Sequence, residues 1–260
     1  MACSEFRPLT PRQRELIALV ELHGHATIPF LVQALGCSAP SVRRDIRRLC
    51  EERLIQRFHG GASASSGPVR LGYAAKQHRM SEEKARIATR AVRLLGEVSS
   101  LFLDTGSTCD RFAQALGSCR GFFIVTHNPS AALILAAYHN EHRIQLLGGL
   151  VGGADGAVTG SRTVRELESY RLETAVVAVS GIDAEGYLLD FDSHKIDIKR
   201  AMMACARQSF LLIDRSRFRR RGLQRVAHLN DFDRIVTDAM PAAQYRALID
   251  NSDQRLVIAA

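Results

Sequence analysis

The chain has 260 residues, 46% hydrophobic and 24% charged, with 35 Lys and Arg against 27 Asp and Glu and a formal net charge of +8. That length allows one large or two ordinary packed domains, and the charge fits an acidic partner. Six cysteines without a CxxC pair or histidines at zinc spacing argue against a metal site. No apolar run reaches the ~18 residues of a membrane span and no signal peptide opens the chain, so a cytoplasmic protein with reduced thiols is expected.

Positive charge gathers at the start. Residues 1–62 carry nine Arg against six acids, and residues 63–80 carry Arg70, Lys76 and Arg79 with no acid. Thr10-Pro11-Arg12-Gln13 opens a first helix, with Thr10 as cap and Gln13 placed to bond back. Leu16, Ile17, Leu19 and Val20 form its apolar stripe, and Gly24 ends it. A second short helix runs from about Pro29 to Leu35, capped by Thr27 and closed by Gly36 in the left-handed region. Ser38 is then expected to cap a third helix through its hydroxyl, with Pro40 in the first turn. At about 100° per residue, Val42, Ile46 and Leu49 share one face, and Arg43, Arg44, Arg47 and Arg48 the opposite one. The arginine fork suits phosphate or the O6 and N7 edge of guanine. An ordinary solvated basic face is the plainer alternative. Leu54 to Phe58 reads as a strand, and His59-Gly60-Gly61-Ala62 as a wing that brings backbone near a phosphate. Helix, tight turn and capped basic helix make a helix-turn-helix, whose second helix enters the major groove.

The run GCSAPSVRRDIRRLCEERLIQRFHGGA resembles the N-terminal module of the DeoR family of bacterial transcriptional regulators. The matching residues are above all Ser38, Ser41-Val42-Arg43-Arg44-Asp45-Ile46 and His59-Gly60-Gly61-Ala62. Family members usually carry threonine where Ser41 stands and glycine where Arg53 stands; Ser41 keeps the hydroxyl. The resemblance implies a winged helix-turn-helix domain over residues 1–62 with a double-stranded DNA operator as partner. The DNA-binding set is then Ser38, Ser41, Arg43, Arg44, Arg47, Arg48, His59, Gly60 and Gly61.

Residues 63–80 begin with small residues and Pro68 and read as a linker. Arg70 and Lys76 either reach flanking phosphates or ride on a flexible tether. From Ser81, which is expected to cap a helix to about Leu95, strands alternate with amphipathic helices. Strands are expected over Val98–Leu103, Phe122–Thr126, Arg143–Leu147, Thr174–Val179, Phe210–Asp214, Arg234–Thr237 and Leu256–Ile258. Helices are expected up to Leu116, then over Pro129–Tyr138, Thr163–Tyr170, Lys195–Arg207 and Pro241–Ile249. This pattern predicts an α/β domain over 81–260 with a mostly parallel sheet covered on both faces.

Ligands of such sheets bind beyond the carboxyl ends of the strands. Three polar loops fall there: Asp104-Thr105-Gly106-Ser107-Thr108, Thr126-His127-Asn128 and Gly148-Gly149. Each alone is an ordinary strand-to-helix loop; together they suggest an anion pocket, with backbone N–H groups at a helix start. Cys109 has no base beside it and is not read as a nucleophile. Arg219, Arg220 and Arg221 read as a solvated basic loop.

This region resembles the sensor domain of the same family. The matching runs are Leu103 to Thr108, Val125-Thr126, Leu147-Gly148-Gly149, Gly181-Ile182-Asp183, Lys199-Arg200-Ala201-Met202 and Asp214 to Phe218. The resemblance implies a fold like that of sugar-phosphate isomerases and a phosphorylated sugar or similar anionic metabolite as effector. The effector-binding set is Asp104, Thr105, Gly106, Ser107, Thr108, Thr126, His127, Gly148, Gly149, Lys195 and Arg217. Family members tend to carry asparagine at His127, lysine at Arg217 and an acid at Lys195, and a GADG-like run where Val179-Ser180-Gly181 stands. Those departures leave the effector's chemical identity open. The expected whole is a repressor of carbohydrate or related metabolic genes, a homodimer or homotetramer in the bacterial cytoplasm and on its nucleoid, with no cofactor, metal or catalytic residue. One alternative is an isomerase using Asp104 or Asp183 as base; another is a non-specific nucleic-acid binder.

Overall fold

The computed structural model describes residues 9–23, 25–52, 54–58, 61–64, 80–152, 155–219, 224–250 and 252–259. The chain divides into two units, Met1–Ala75 and Lys76–Ala260. Gly24, Arg53, His59, Gly60, Arg220, Arg221 and residues 65–79 of the expected linker lie outside the described residues.

In the first unit, α1 (Pro11–His23) opens with the expected reciprocal pair. The Thr10 N–H donates to Gln13 Oε1 at 3.1 Å, and the Gln13 N–H to Thr10 Oγ1 at 3.2 Å. A short β1 (His25–Thr27), which the sequence did not suggest, precedes α2 (Ile28–Leu35). The Thr27 hydroxyl accepts from the Phe30 N–H at 3.4 Å, and Gly36 ends α2 at φ 59°. The basic helix is α3 (Ala39–Glu51). Ser38 stands at its N-cap position but makes no side-chain cap bond, contrary to expectation. Its hydroxyl instead lies 3.0 Å from that of Ser41, so the two hydroxyls satisfy each other. Strands β2 (Ile55–Phe58) and β3 (Gly61–Ala64) form the antiparallel wing, and β1 pairs with the other edge of β3.

One core serves this unit. Leu16 and Val20 of α1, Leu31 of α2, and Val42, Ile46 and Leu49 of α3 are buried with Ile55 and Ala62. Burial of each large aliphatic side chain stabilises the unit by roughly 1.5–3 kcal/mol, which clamps α3 from behind. A polar tie adds to this. The buried Asp45 accepts from Arg12 Nε at 2.7 Å and Gln13 Nε2 at 2.9 Å. Replacing Asp45 by alanine strands the buried Gln13 amide and is expected to cost about 1–3 kcal/mol in urea unfolding.

The second unit starts with α4 (Ser81–Arg93). Met80, at φ 53°, takes the cap position expected for Ser81, whose hydroxyl accepts from Arg111 Nη2 at 2.6 Å. There follow β4 (Ser100–Leu103), α5 (Ser107–Leu116), β5 (Phe123–Thr126), α6 (Pro129–Ala136) and β6 (Arg143–Leu146). A hairpin, β7 (Leu150–Gly152) and β8 (Ala157–Thr159), leads to α7 (Ser161–Glu168) and β9 (Leu172–Ala178). Next come β10 (Gly181–Ile182), β11 (Tyr187–Asp190), α8 (Ser193–Cys205), β12 (Ala206–Ile213), β13 (Gln224–His228) and β14 (Arg234–Thr237). The chain closes on α9 (Ala243–Arg246), α10 (Ser252–Arg255) and β15 (Leu256–Ile258). The helix expected over Pro241–Ile249 is one turn long, and Arg207 belongs to β12 rather than to the preceding helix.

Among the described residues, seven strands form one sheet in the order β15-β14-β12-β9-β4-β5-β6, every pairing parallel. The β7–β8 hairpin and a small antiparallel sheet, β10-β11-β13, are appended to it. Alternation along the strands feeds two cores. Leu101, Leu103, Ile124, Val176 and Leu212 face α4, α5 and α6. Phe102, Val125, Ala175, Val177 and Leu211 face α7 and α8. The chain runs outward from β4 to β6, then returns to the other side of β4 and runs from β9 to β15. That reversal exchanges the helical faces and makes the carboxyl ends of β4 and β9 the topological switch point of the sheet.

Candidate DNA interface and effector site

On α3 the arginines stand opposite the buried stripe. Arg43, Arg44 and Arg47 are exposed, and among the described residues no carboxylate lies in ion-pair range of them. Arg48 differs: it is half-buried and its Nε pairs with Glu52 Oε1 at 2.9 Å. Ser38 is exposed and Ser41 half-buried at the open end of the helix. Gly61 is buried in the wing, paired with Phe58 and with Thr27. Like charges three and four residues apart destabilise a helix by a few tenths of a kcal/mol per pair. The apolar clamp and the Asp45 tie offset that cost and fix the face of α3 from which the arginines project. Asp45 itself was given no role from the sequence, since its partners lie 32 and 33 residues away.

At the switch point of the second unit lies a sealed ionic node. Asp104, directly after β4, is fully buried. Its Oδ2 accepts from Lys199 Nζ and from the Ala178 N–H at 3.0 Å. Its Oδ1 faces His127 Nε2 at 3.0 Å, and His127 Nδ1 faces the Val158 carbonyl at 3.0 Å. Lys199, on α8, also donates to the Ala178 carbonyl at 2.8 Å and lies 3.8 Å from Asp190. Burial alone works to raise the Asp104 carboxyl. The Lys199 charge, with the bond and charge of His127, overcomes it and holds the group well below the ordinary carboxylate range. Burial likewise works to lower the Lys199 ammonium, and Asp104 and Asp190 raise it above its ordinary value.

Polar contacts continue from this node across the end of the sheet. The Ser180 hydroxyl donates to Asp190 at 2.8 Å. Arg217 Nη1 reaches the Ser180 carbonyl at 3.5 Å, and its Nε pairs with Asp214 Oδ2 at 3.2 Å. The Arg217 charge and the Ser216 bonds bring Asp214 below its usual value against the effect of burial.

A second, more open cluster lies over the loop between β4 and α5. Asp155, in the turn of the β7–β8 hairpin, accepts from Lys195 Nζ at 2.5 Å and from the Thr105 hydroxyl at 3.1 Å. Here too burial works to raise the carboxyl, and Lys195 and Thr105 leave it below the ordinary value. Gly106 precedes α5 at φ 118°, and Ser107 and Thr108 are buried in its first turn.

Other expected effector residues have structural partners. The Thr126 hydroxyl donates to the Leu103 carbonyl at 2.7 Å and accepts from the Asn128 N–H at 3.0 Å. The Gly148 N–H donates to Glu166 at 3.0 Å, and its carbonyl accepts from Thr163 at 2.9 Å. A Cβ on Gly149 would meet Thr163 Oγ1 at 2.2 Å, so that glycine permits close packing of the loop on α7. The structure thus brings Asp104, His127, Thr105 and Lys195 into one neighbourhood through Asp104 and Asp155. Asp155 was not singled out in the sequence. Among the described residues, no group of three or more His, Cys, Asp or Glu side chains is placed to hold a metal ion, and no helix is long and apolar enough to cross a membrane.

Three aspartates with lowered folded-state values, Asp104, Asp155 and Asp214, set a pH dependence. Each stabilises the fold fully above the unfolded value of about 3.9, and each contribution is lost as pH falls through the folded value. The raised Lys199 acts oppositely, losing its contribution as pH rises through its folded value, above about 10.4. The thermal midpoint is therefore expected to be level near neutrality and to fall on acidification below about pH 4. Differential scanning calorimetry across buffers checks this.

A profile described as "DeoR-like helix-turn-helix domain" matches residues 12–67, and one described as "DeoR C terminal sensor domain" matches residues 79–239. The glycerol-3-phosphate regulon repressor of Escherichia coli (strain K12) is 34% identical over 232 residues, spanning 89% of this chain and 92% of that protein. The glycerol-3-phosphate regulon repressor of Haemophilus influenzae is 35% identical over 230 residues, spanning 88% and 89%. Among solved structures, ribose 5-phosphate isomerase A of Methanocaldococcus jannaschii overlaps 54% of this chain and 55% of its own, at 16% identity and a TM-score of 0.40. A likeness of that size bears on neither fold nor function.

Proposed function

The chain belongs to the DeoR family of transcriptional regulators, and from that premise we propose that it is a sequence-specific repressor released by a phosphorylated sugar or a similar anionic metabolite. The observation that carries the DNA-binding half is α3, where Arg43, Arg44 and Arg47 project on the face opposite Val42, Ile46 and Leu49. Ser41 and these three arginines reach bases or nearby phosphates, and the wing residues His59, Gly60 and Gly61 brace the backbone. Arg48 plays a lesser part, because Glu52 holds it.

The sign of regulation follows the relatives, both of which are named repressors. Their names make glycerol 3-phosphate the first effector to try on this chain. The anion is received by the loop Thr105-Gly106-Ser107-Thr108 with Lys195 and Arg217. The proposed division is DNA binding by residues 1–62, a linker over 63–80, and effector sensing and self-association by 81–260. A single small module buries too little DNA for genomic specificity, so the chain works as a dimer or tetramer on repeated half-sites. Its place of work is the cytoplasm, on chromosomal DNA.

Two observations weigh against turnover as an isomerase. Asp104 is saturated by Lys199, His127 and the Ala178 amide, and Asp183 is occupied by the N–H groups of Glu185 at 3.1 Å and Tyr187 at 2.8 Å. Asp104 is therefore not poised to take a proton from carbon, and Asp183 has its Oδ1 committed to its own turn. Selecting bound sequences from random duplex DNA, with and without glycerol 3-phosphate and other sugar phosphates, tests the reading. Enrichment of one repeated motif that the effector abolishes is expected. Steeply salt-dependent binding without a motif would favour the non-specific alternative.

A further inference from the structure

Three cations at the carboxyl end of the large sheet each face a carboxylate: Lys199 faces Asp104, Arg217 faces Asp214, and Lys195 faces Asp155. An anionic ligand that uses one of these three cations takes it from an acid of the chain. The three pairs differ in how firmly the acid is held. Asp104 is 0% exposed with three donors around it, and Asp214 is 1% exposed and bound twice by Ser216. Asp155 is 14% exposed and its cation 13%. It also sits in a hairpin turn, where the Ala157 N–H donates to its Oδ1 at a long 3.4 Å, and side chains tie it to the loop after β4 through the hydroxyl of Thr105 and to α8 through the ammonium of Lys195. Of the three acids it is the one that can swing to water.

We propose that Asp155 is an internal competitor for the effector: its carboxylate holds Lys195 and Thr105, and a phosphate dianion binds by displacing it from both. This rests on the effector reading above and deepens it. Two consequences follow from the charges. A dianion has an advantage over the single charge of Asp155 at Lys195, whereas a monoanion such as acetate has none. The affinity of the site is then a difference between two anions for one cation, so weakening the internal one strengthens the external one.

The test is isothermal titration of the full chain with inorganic phosphate. Asp155→Asn keeps the size and an acceptor for Thr105 while removing the charge, and Asp155→Ser serves as a second variant. Both are expected to bind phosphate about tenfold more tightly than the parent chain, the scale set by 1.4 kcal/mol. Lys195→Ala is expected to bind more weakly, and adding Asp155→Asn to it to restore nothing, because no cation remains to be freed. Circular dichroism melts confirm that the variants are folded. Unchanged or weaker binding in both Asp155 variants, with phosphate still bound by the parent, would overturn this inference and leave the pocket standing. Absence of phosphate binding in the parent and in every variant would overturn the pocket and the inference together.

Discussion

Replacing Lys199 by alanine is expected to lower the stability of the Lys76–Ala260 unit by about 3–5 kcal/mol, the cost of removing one partner from a buried ion pair. Three groups lose their counterpart at once. Asp104 stays sealed with only His127 and the Ala178 N–H, the Ala178 carbonyl loses its donor, and Asp190 loses the ammonium 3.8 Å away. Net stabilities of single domains run to about 5–15 kcal/mol, so the variant sits near the edge of folding. Lys199→Met combined with Asp104→Asn removes both charges and is expected to recover part of the loss, which a double-mutant cycle in urea measures as coupling. A loss below about 1 kcal/mol in Lys199→Ala would show that the pair is solvated rather than buried.

Arg44→Ala is expected to weaken binding to the selected operator by about 1–3 kcal/mol per contact, and twice over in a two-fold complex. The fold should not change, because Arg44 is exposed and the clamp beneath α3 rests on Val42, Asp45, Ile46 and Leu49. The pattern of loss is diagnostic. If Arg44 reads a base edge, affinity for the operator falls while affinity for random duplex barely moves. If it touches only phosphate, both fall together and the salt slope drops by about one. Arg44→Lys keeps the charge without the planar fork, and its result separates the two cases. Gel-shift titrations on the two duplexes give the answer.

Much of the first unit was legible because one period governs it. The spacing of Val42, Ile46 and Leu49 fixed the buried face of α3 and hence where the arginines point. What escaped notice was non-local. Asp45 reads as a charge among charges until α1 is folded against it, and the three residues of β1 are too few to form a pattern. The Ser38 cap failed because a hydroxyl neighbour, Ser41, competed for its side chain.

In the second unit the strand and helix alternation gave the parallel sheet, and the loops after β4 and β5 were correctly placed at its carboxyl end. Three partnerships were invisible. Lys199 lies on the buried face of a helix otherwise lined by Ile196, Ile198, Ala201 and Met202, and its acid stands 95 residues earlier. Asp155 hides in a glycine-rich turn whose hairpin was not anticipated. Gly148 and Gly149 looked like a phosphate loop, yet the Gly148 amide serves Glu166 and Gly149 serves packing on Thr163. Glycine-rich stretches have the same composition whether they cradle an anion or admit a neighbouring helix.

The proposed function joins two properties in one chain, sequence-specific DNA binding and its reversal by a small anion. Fluorescence anisotropy on the selected operator and a scrambled duplex, at fixed salt and with glycerol 3-phosphate or a related sugar phosphate titrated in, tests it most directly. Binding to the operator is expected to be at least about a thousandfold tighter than to the scrambled duplex, and to be reversed by the phosphate ester but not by acetate. Equal binding to both duplexes, unmoved by any phosphate ester, would contradict it.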